Sequence, residues 1–126
     1  MRIFNHQVFD DVIVGAGKTW YSQTDMNAEL GTAFSFAVQA NTSWVSGTLP
    51  TLTVKSEHSP DSENWIATGV TEISAVALVN NGTFFGSYFS GVLNQTLGRF
   101  IRFNISLGGT APQCRLKLYV TGHDTI

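Results

Sequence analysis

A chain of 126 residues is expected to form one domain spanning positions 1–126, able to bury about two-thirds of its unfolded surface and to fold without covalent staples. Its single cysteine, Cys114, excludes an internal disulfide and a cysteine-built zinc site. With 7 basic and 9 acidic residues and a net charge of −2 it shows no basic patch for nucleic acid, and no run approaches the ~18 apolar residues of a membrane span.

The chain opens Met1-Arg2-Ile3-Phe4-Asn5-His6-Gln7, without the apolar core of a secretory leader, so synthesis in a cytoplasm is expected. Ile3 to Phe9 carries a weak strand pattern. Val12 to Trp20 reads VIVGAGKTW, which ends like a phosphate-binding loop. That loop is G-x-x-x-x-G-K-[ST], and the place of its first glycine is held by Val12. It must also open a helix, whose N-terminus supplies the amide donors. Thr19-Trp20-Tyr21-Ser22 is instead β-prone. A tight turn between two strands is expected, with Gly15 and Gly17 supplying positive φ.

Thr24 to Leu30 offers a marginal helical turn. Phe34 to Gln39 alternates, and Thr51 to His58 alternates more clearly, with Leu52 and Val54 inward and Thr53, Lys55 and Glu57 outward. Between the next strands lies Ser59-Pro60-Asp61-Ser62-Glu63-Asn64-Trp65. Pro60 fixes the first corner of a turn, Asp61 can bond back to the backbone, and Trp65 returns the chain to the sheet. A calcium site from Asp61, Glu63 and Asn64 is the sharper alternative, but the loop alone offers fewer than the roughly six oxygens the ion wants. The Asp-x-x-x-Trp spacing also resembles turns of discoidin-type sugar-binding sandwiches.

Glu72 to Val79 and Thr83 to Phe89 follow, joined through Asn81-Gly82, a hairpin-turn signal. In the second of these strands Phe85 and Phe89 share one face while Phe84 and Tyr88 share the other. One aromatic face can fill a core. The other needs a cover, either the Trp44 segment of the same chain or a neighbouring subunit. Trp20-Tyr21 poses the same problem. Arg99 to Leu107 is the clearest strand, with Ile101, Phe103, Ile105 and Leu107 on one face and Arg102, Asn104 and Ser106 on the other. Gly108 to Pro112 reads as a loop, and Arg115 to Thr121 alternates again.

About eight strand candidates separated by Gly, Pro, Asn and Asp indicate an all-β, antiparallel β-sandwich. His6, His58 and His123 are far apart and none stands at ligand spacing, so no metal or other cofactor is expected. No G-x-S-x-G elbow or convergent acid–base set is present, and the expectation is a protein that is not an enzyme. Four Asn-x-Ser/Thr sequons, at Asn41, Asn81, Asn94 and Asn104, reflect a composition rich in Asn, Ser and Thr. Low charge with nine Phe, three Tyr and three Trp suits a domain that covers much of its surface with other proteins.

The segments TLTVKSEHSPDSENW and GRFIRFNISLGGTAPQCRLKLYVTG resemble the jelly-roll cement, or decoration, proteins of tailed-phage capsids. The matching positions are Leu52, Val54, Ser59 and Asp61, then Arg99, Phe100, Ile101 and Arg102, within residues 34–122. The resemblance implies a jelly-roll sandwich on the outer capsid surface of a virion, bridging copies of the major capsid protein and itself a dimer or trimer. Trp20, Tyr21, Trp44, Phe84 and Tyr88 would be its contacts, with Arg99 and Arg102 pairing to carboxylates of the shell. The alternatives are a phage tail or baseplate component, or a carbohydrate-binding module using Trp20 or Trp44 as stacking platforms.

Overall fold

A computed structural model describes residues 3–22, 35–89 and 100–123. The marginal helical turn at 24–30 and Arg99 lie outside them. The described residues form β1 (Ile3–Val14), β2 (Thr19–Tyr21), β3 (Ser35–Ser59), β4 (Ile66–Ala77), β5 (Thr83–Phe89) and β6 (Phe100–His123). All the pairings are antiparallel.

Two of these strands are too long for one flat layer, at 25 residues for β3 and 24 for β6. They pair with each other from Ser35↔His123 to Ser59↔Phe100. Their flanking partners change halfway. The early part of β3 pairs with β5 and the late part of β6 with β1. The late part of β3 pairs with β4 and the early part of β6 with β2. The ladder therefore folds across its middle into two four-stranded layers. One runs β1–β6–β3–β5 and the other β2–β6–β3–β4. This is the strand exchange of a jelly roll. Each long strand shows as two alternating runs in the sequence, which accounts for the eight strand candidates.

The bend is built where both strands leave extended geometry together. Register shifts occupy Thr42 to Thr51 of β3. Gly47, Leu49, Gly109 and Ala111 all have positive φ, at 109°, 52°, 103° and 47°. The two backbones touch there, since a Cβ on Gly47 would lie 2.6 Å from the Ala111 carbonyl oxygen and one on Gly109 would lie 2.6 Å from that of Leu49. The expected loop at Gly108 to Pro112 is thus a corner within a continuous strand. Gly15 and Gly17, at φ 99° and 77°, form the expected turn between β1 and β2. The Asn81-Gly82 turn differs from its sequence signal. It joins β4 to β5, which lie in different layers, so it is a crossing between layers and not a hairpin. Thr42 Oγ1 holds it, donating to the Val79 carbonyl at 2.7 Å and accepting from the Gly82 amide at 3.0 Å.

The alternating residues meet between the layers. Ile101, Phe103, Ile105 and Leu107 from one half of β6 and Cys114, Leu116, Leu118 and Val120 from the other join Val38, Leu52, Val54 and Ile73 in one buried cluster. Each large side chain buried this fully contributes about 1.5–3 kcal/mol. Val8 enters the same cluster because β1 bulges between Gln7 and Phe9. At the opposite margin of the sandwich β4 and β5 come into contact, and a Cβ on Gly86 would collide with the backbone carbonyl of Glu72.

Glu72 itself is buried, and neither carboxyl oxygen has a hydrogen-bond partner among the described residues. It sits in the bulge between the pairs Lys55↔Thr71 and Val54↔Ile73, which turns it inward. The nearby hydroxyls of Ser56 and Thr68 bond each other. Burial pushes the Glu72 carboxyl up to about 7.

Two outcomes are expected. Gly86→Ala lowers stability by about 1–3 kcal/mol in urea unfolding, because backbone must move to admit the methyl group, whereas Thr83→Ala at an exposed site of the same strand changes it by less than about 0.5 kcal/mol. Secondly, the folded chain holds the Glu72 proton over a range in which the unfolded chain has lost it. Stability therefore falls as pH rises from 4.5 to about 7 and is flat above, a total of about 3 kcal/mol from this group. Urea titrations across that range should show the slope in the parent and lose this part of it in Glu72→Gln; equal slopes would refute it.

Candidate interaction surfaces

Folding the ladder gives the sandwich two outward faces and two ends, and the residues anticipated as contacts divide among them. Trp20 lies opposite Ile105, an inward-facing residue, and packs against the core. Phe84 packs there too. Both are partly buried against the core, because strand register fixes which way each side chain turns. Tyr21, one residue on, is exposed on the outer face of the β2 layer. The Tyr88 side chain, like Arg99, lies outside the description.

Arg102 occupies the outer face of the β2 layer in a closed arrangement. Its guanidinium lies 3.9 Å from the ring centroid of Tyr21 and 4.3 Å from that of Trp65. Its Nε donates to Glu57 Oε1 at 2.7 Å. Cation–π stacking of this kind contributes about 0.5–1 kcal/mol at exposed sites and more when desolvated. Arg102 thus carries its own carboxylate, and two aromatic residues of the surface have a ring face covered by it.

Trp65 reaches this stack from the Ser59–Trp65 loop. Asp61 Oδ1 accepts from the amides of Glu63 and Asn64, both at 2.9 Å, and from Ser59 Oγ at 2.8 Å. Its Oδ2 accepts from Asn64 Nδ2 at 2.7 Å. These bonds hold the Asp61 carboxyl well below the usual carboxylate range. Both carboxyl oxygens of Asp61, one of the three residues of the anticipated calcium site, are engaged by the loop's own donors. Among the described residues no group of three His, Cys, Asp or Glu side chains is placed to hold a metal ion. Cys114 is buried, and burial pushes its thiol up to about 11.

The end of the sandwich that carries the corners exposes several apolar side chains among polar ones. Leu49 is 82% exposed, and Trp44, Val79 and Val14 are also exposed there. A depression of about 340 Å³ opens beside them, lined by Val45, Gly47, Pro50, Leu78 and Val79 among others. Asn80 Oδ1 accepts from the Val45 amide at 2.7 Å and the Leu78 amide donates to the Pro50 carbonyl at 3.0 Å, so the strand corner and the interlayer turn are tied into one surface.

The outer face of the β1 layer was not singled out by sequence. The register aligns Gln7, Tyr119, Gln39 and Phe85 in one row across all four strands. Phe85 is 70% exposed. The signal was present as alternation in each strand, but only pairing shows that these four residues stand side by side.

No protein-family model matches the chain, and no curated protein matches it in sequence. Solved structures match it in fold. The PBSX exported protein XepA superimposes with a TM-score of 0.58 at 15% identity, over 98% of this chain and 38% of that one. The infectious bursal disease virus structure of the Gx strain gives 0.58 at 14% identity, over 98% of this chain and 32% of the viral one. The CBM22-1 xylan-binding domain from Paenibacillus barcinonensis Xyn10C gives 0.52 at 10% identity, over 97% of this chain and 87% of the domain. The chain spans about two-fifths of the first of these and one-third of the second. At such identities the likeness is one of fold, and the fold is an antiparallel, jelly-roll-like β-sandwich.

Proposed function

We propose that this chain is a structural protein of a virion, a decoration or cement protein that sits on the outer capsid surface and bridges neighbouring shell subunits without catalysing a reaction. The observation that carries this reading is the end with the corners. Trp44, Leu49, Val79 and Val14 stand exposed at one pole of the sandwich, where a shallow depression lined in part by Val79 opens. Exposed apolar side chains gathered at one pole are a liability on a free monomer and an asset at an interface. Its corner backbone is braced against a second strand, so little conformational freedom is lost when it docks. The fold likeness to a viral particle structure supports the same reading. Linking adjacent subunits stabilises a shell by mass action, and a dimer or trimer of the chain would multiply weak contacts.

A carbohydrate-binding module is the second reading. It is favoured by the xylan-binding domain, whose length the chain nearly spans. Trp20, one of its anticipated platforms, faces the core.

The deciding measurement is quantitative mass spectrometry of purified particles, with the copy number compared to that of the major shell protein. A simple fraction of the shell copy number is expected; particles devoid of the chain would overturn the virion reading. Purified chain should also raise the melting temperature of shells that lack it. Trp44→Ala combined with Leu49→Ala should weaken that attachment about tenfold or more, since aromatic anchors carry much of an interface's energy.

A further inference from the structure

The two outer faces of the sandwich differ in chemistry. On the β2 layer, Lys55, Glu57 and Arg102 bring charge to the outer face, and Arg102 lies over Tyr21 and Trp65. On the β1 layer, the row Gln7–Tyr119–Gln39–Phe85 is free of charge. The row beside it runs Asn5–Thr121–Ala37, also uncharged and made of small or amide side chains. Among the described residues charge enters on the other side, where Asp10, Lys117 and Asn41 align. Asp10 there is engaged by Arg115, whose Nη2 donates to it at 2.8 Å.

The polar groups of this face are partly preset. Gln39 Nε2 donates to Asn41 Oδ1 at 3.1 Å, which orients the amide and leaves its carbonyl oxygen to accept. Thr121 Oγ1 donates to Asn5 Oδ1 at 3.1 Å. Tyr119 and Phe85 are separated by one intervening strand, hence by about 10 Å at the strand spacing of a sheet. That is close to the length of two linked pyranose rings. Small Ala37 stands beside the row on the strand between the two rings and leaves room above the sheet.

We propose that the row Gln7–Tyr119–Gln39–Phe85 binds an extended, uncharged polysaccharide laid across the strands, with sugar rings resting on Phe85 and Tyr119 and hydroxyls bonded by the amides of Gln7 and Gln39. A sugar ring presents apolar C–H faces and a rim of hydroxyls. It therefore needs flat aromatic surfaces alternating with groups that both donate and accept, and an amide does both. The absence of charge along the row selects against sulfated and uronic chains, which need cationic partners. This inference deepens the carbohydrate-binding reading and is independent of attachment to a shell.

The test is affinity electrophoresis of the full chain through gels containing soluble xylan, hydroxyethylcellulose, glucomannan or heparin. Retardation is expected by at least one neutral polymer and not by heparin. Phe85→Ala and Tyr119→Ala should each weaken it about tenfold, a factor that corresponds to about 1.4 kcal/mol. Thr19→Ala, at an exposed position of the other layer, should leave it unchanged, and the Phe85 substitution, also at an exposed position, leaves the fold intact by its melting curve. Retardation that survives Phe85→Ala would keep the carbohydrate reading and overturn this face as its site. No retardation by any neutral polymer would overturn both. A Phe85→Ala variant that instead dissociates a dimer in sedimentation would assign the face to a second copy and overturn the proposal.

Discussion

The antiparallel ladder between β3 and β6 is the constraint on which everything else rests. It runs through both layers, so the sandwich is one folded ribbon and not two sheets held only by side chains. The remaining strands merely extend it, β1 and β5 on one half, β2 and β4 on the other. Because both strands must bend at the same level, the corner accepts only a narrow set of backbone conformations. The clashes that a side chain on Gly47 or Gly109 would create are the local expression of that demand. Non-local pairing of this extent also implies slow folding, since loop closure precedes any reward from contacts.

From this ladder the surfaces follow. Register decides that Trp20 and Phe84 turn inward while Tyr21 and Phe85 turn outward, although each pair is adjacent in sequence. A bulge of one residue on β1 brings Val8 into the core, and another on β4 brings in Glu72. The second is the costlier. A buried carboxyl without a partner is most easily held when it keeps its proton.

Much of the architecture was legible in the sequence. The strict alternation from Ile101 to Leu107 and from Leu116 to Val120 named the core of β6 correctly, and Leu52 with Val54 did so for β3. The strand Thr83–Phe89 was read with its observed limits. What escaped was non-local. Gly108 to Pro112 looks like a loop because glycine and proline usually end strands, and only contact with the other bent strand shows it to be a corner. Asn81-Gly82 looks like a hairpin for the same reason. The aromatic residues were recognised as too many for a simple core, but their division between inside and outside depends on pairing partners that lie tens of residues away. Arg102 was visible as a strand charge; its stacking between Tyr21 and Trp65 required a loop and an edge strand to converge on it.

Ile3 stands opposite His123 in the ladder, while Val14, further along β1, stands opposite Gln113 near the corner. Both ends of the described ladder therefore lie at the pole away from Trp44 and Leu49. Flanking polypeptide attached there would enter and exit through one doorway. Such a unit can be inserted into a larger architecture, or strung in tandem, while its other pole stays free to point outward.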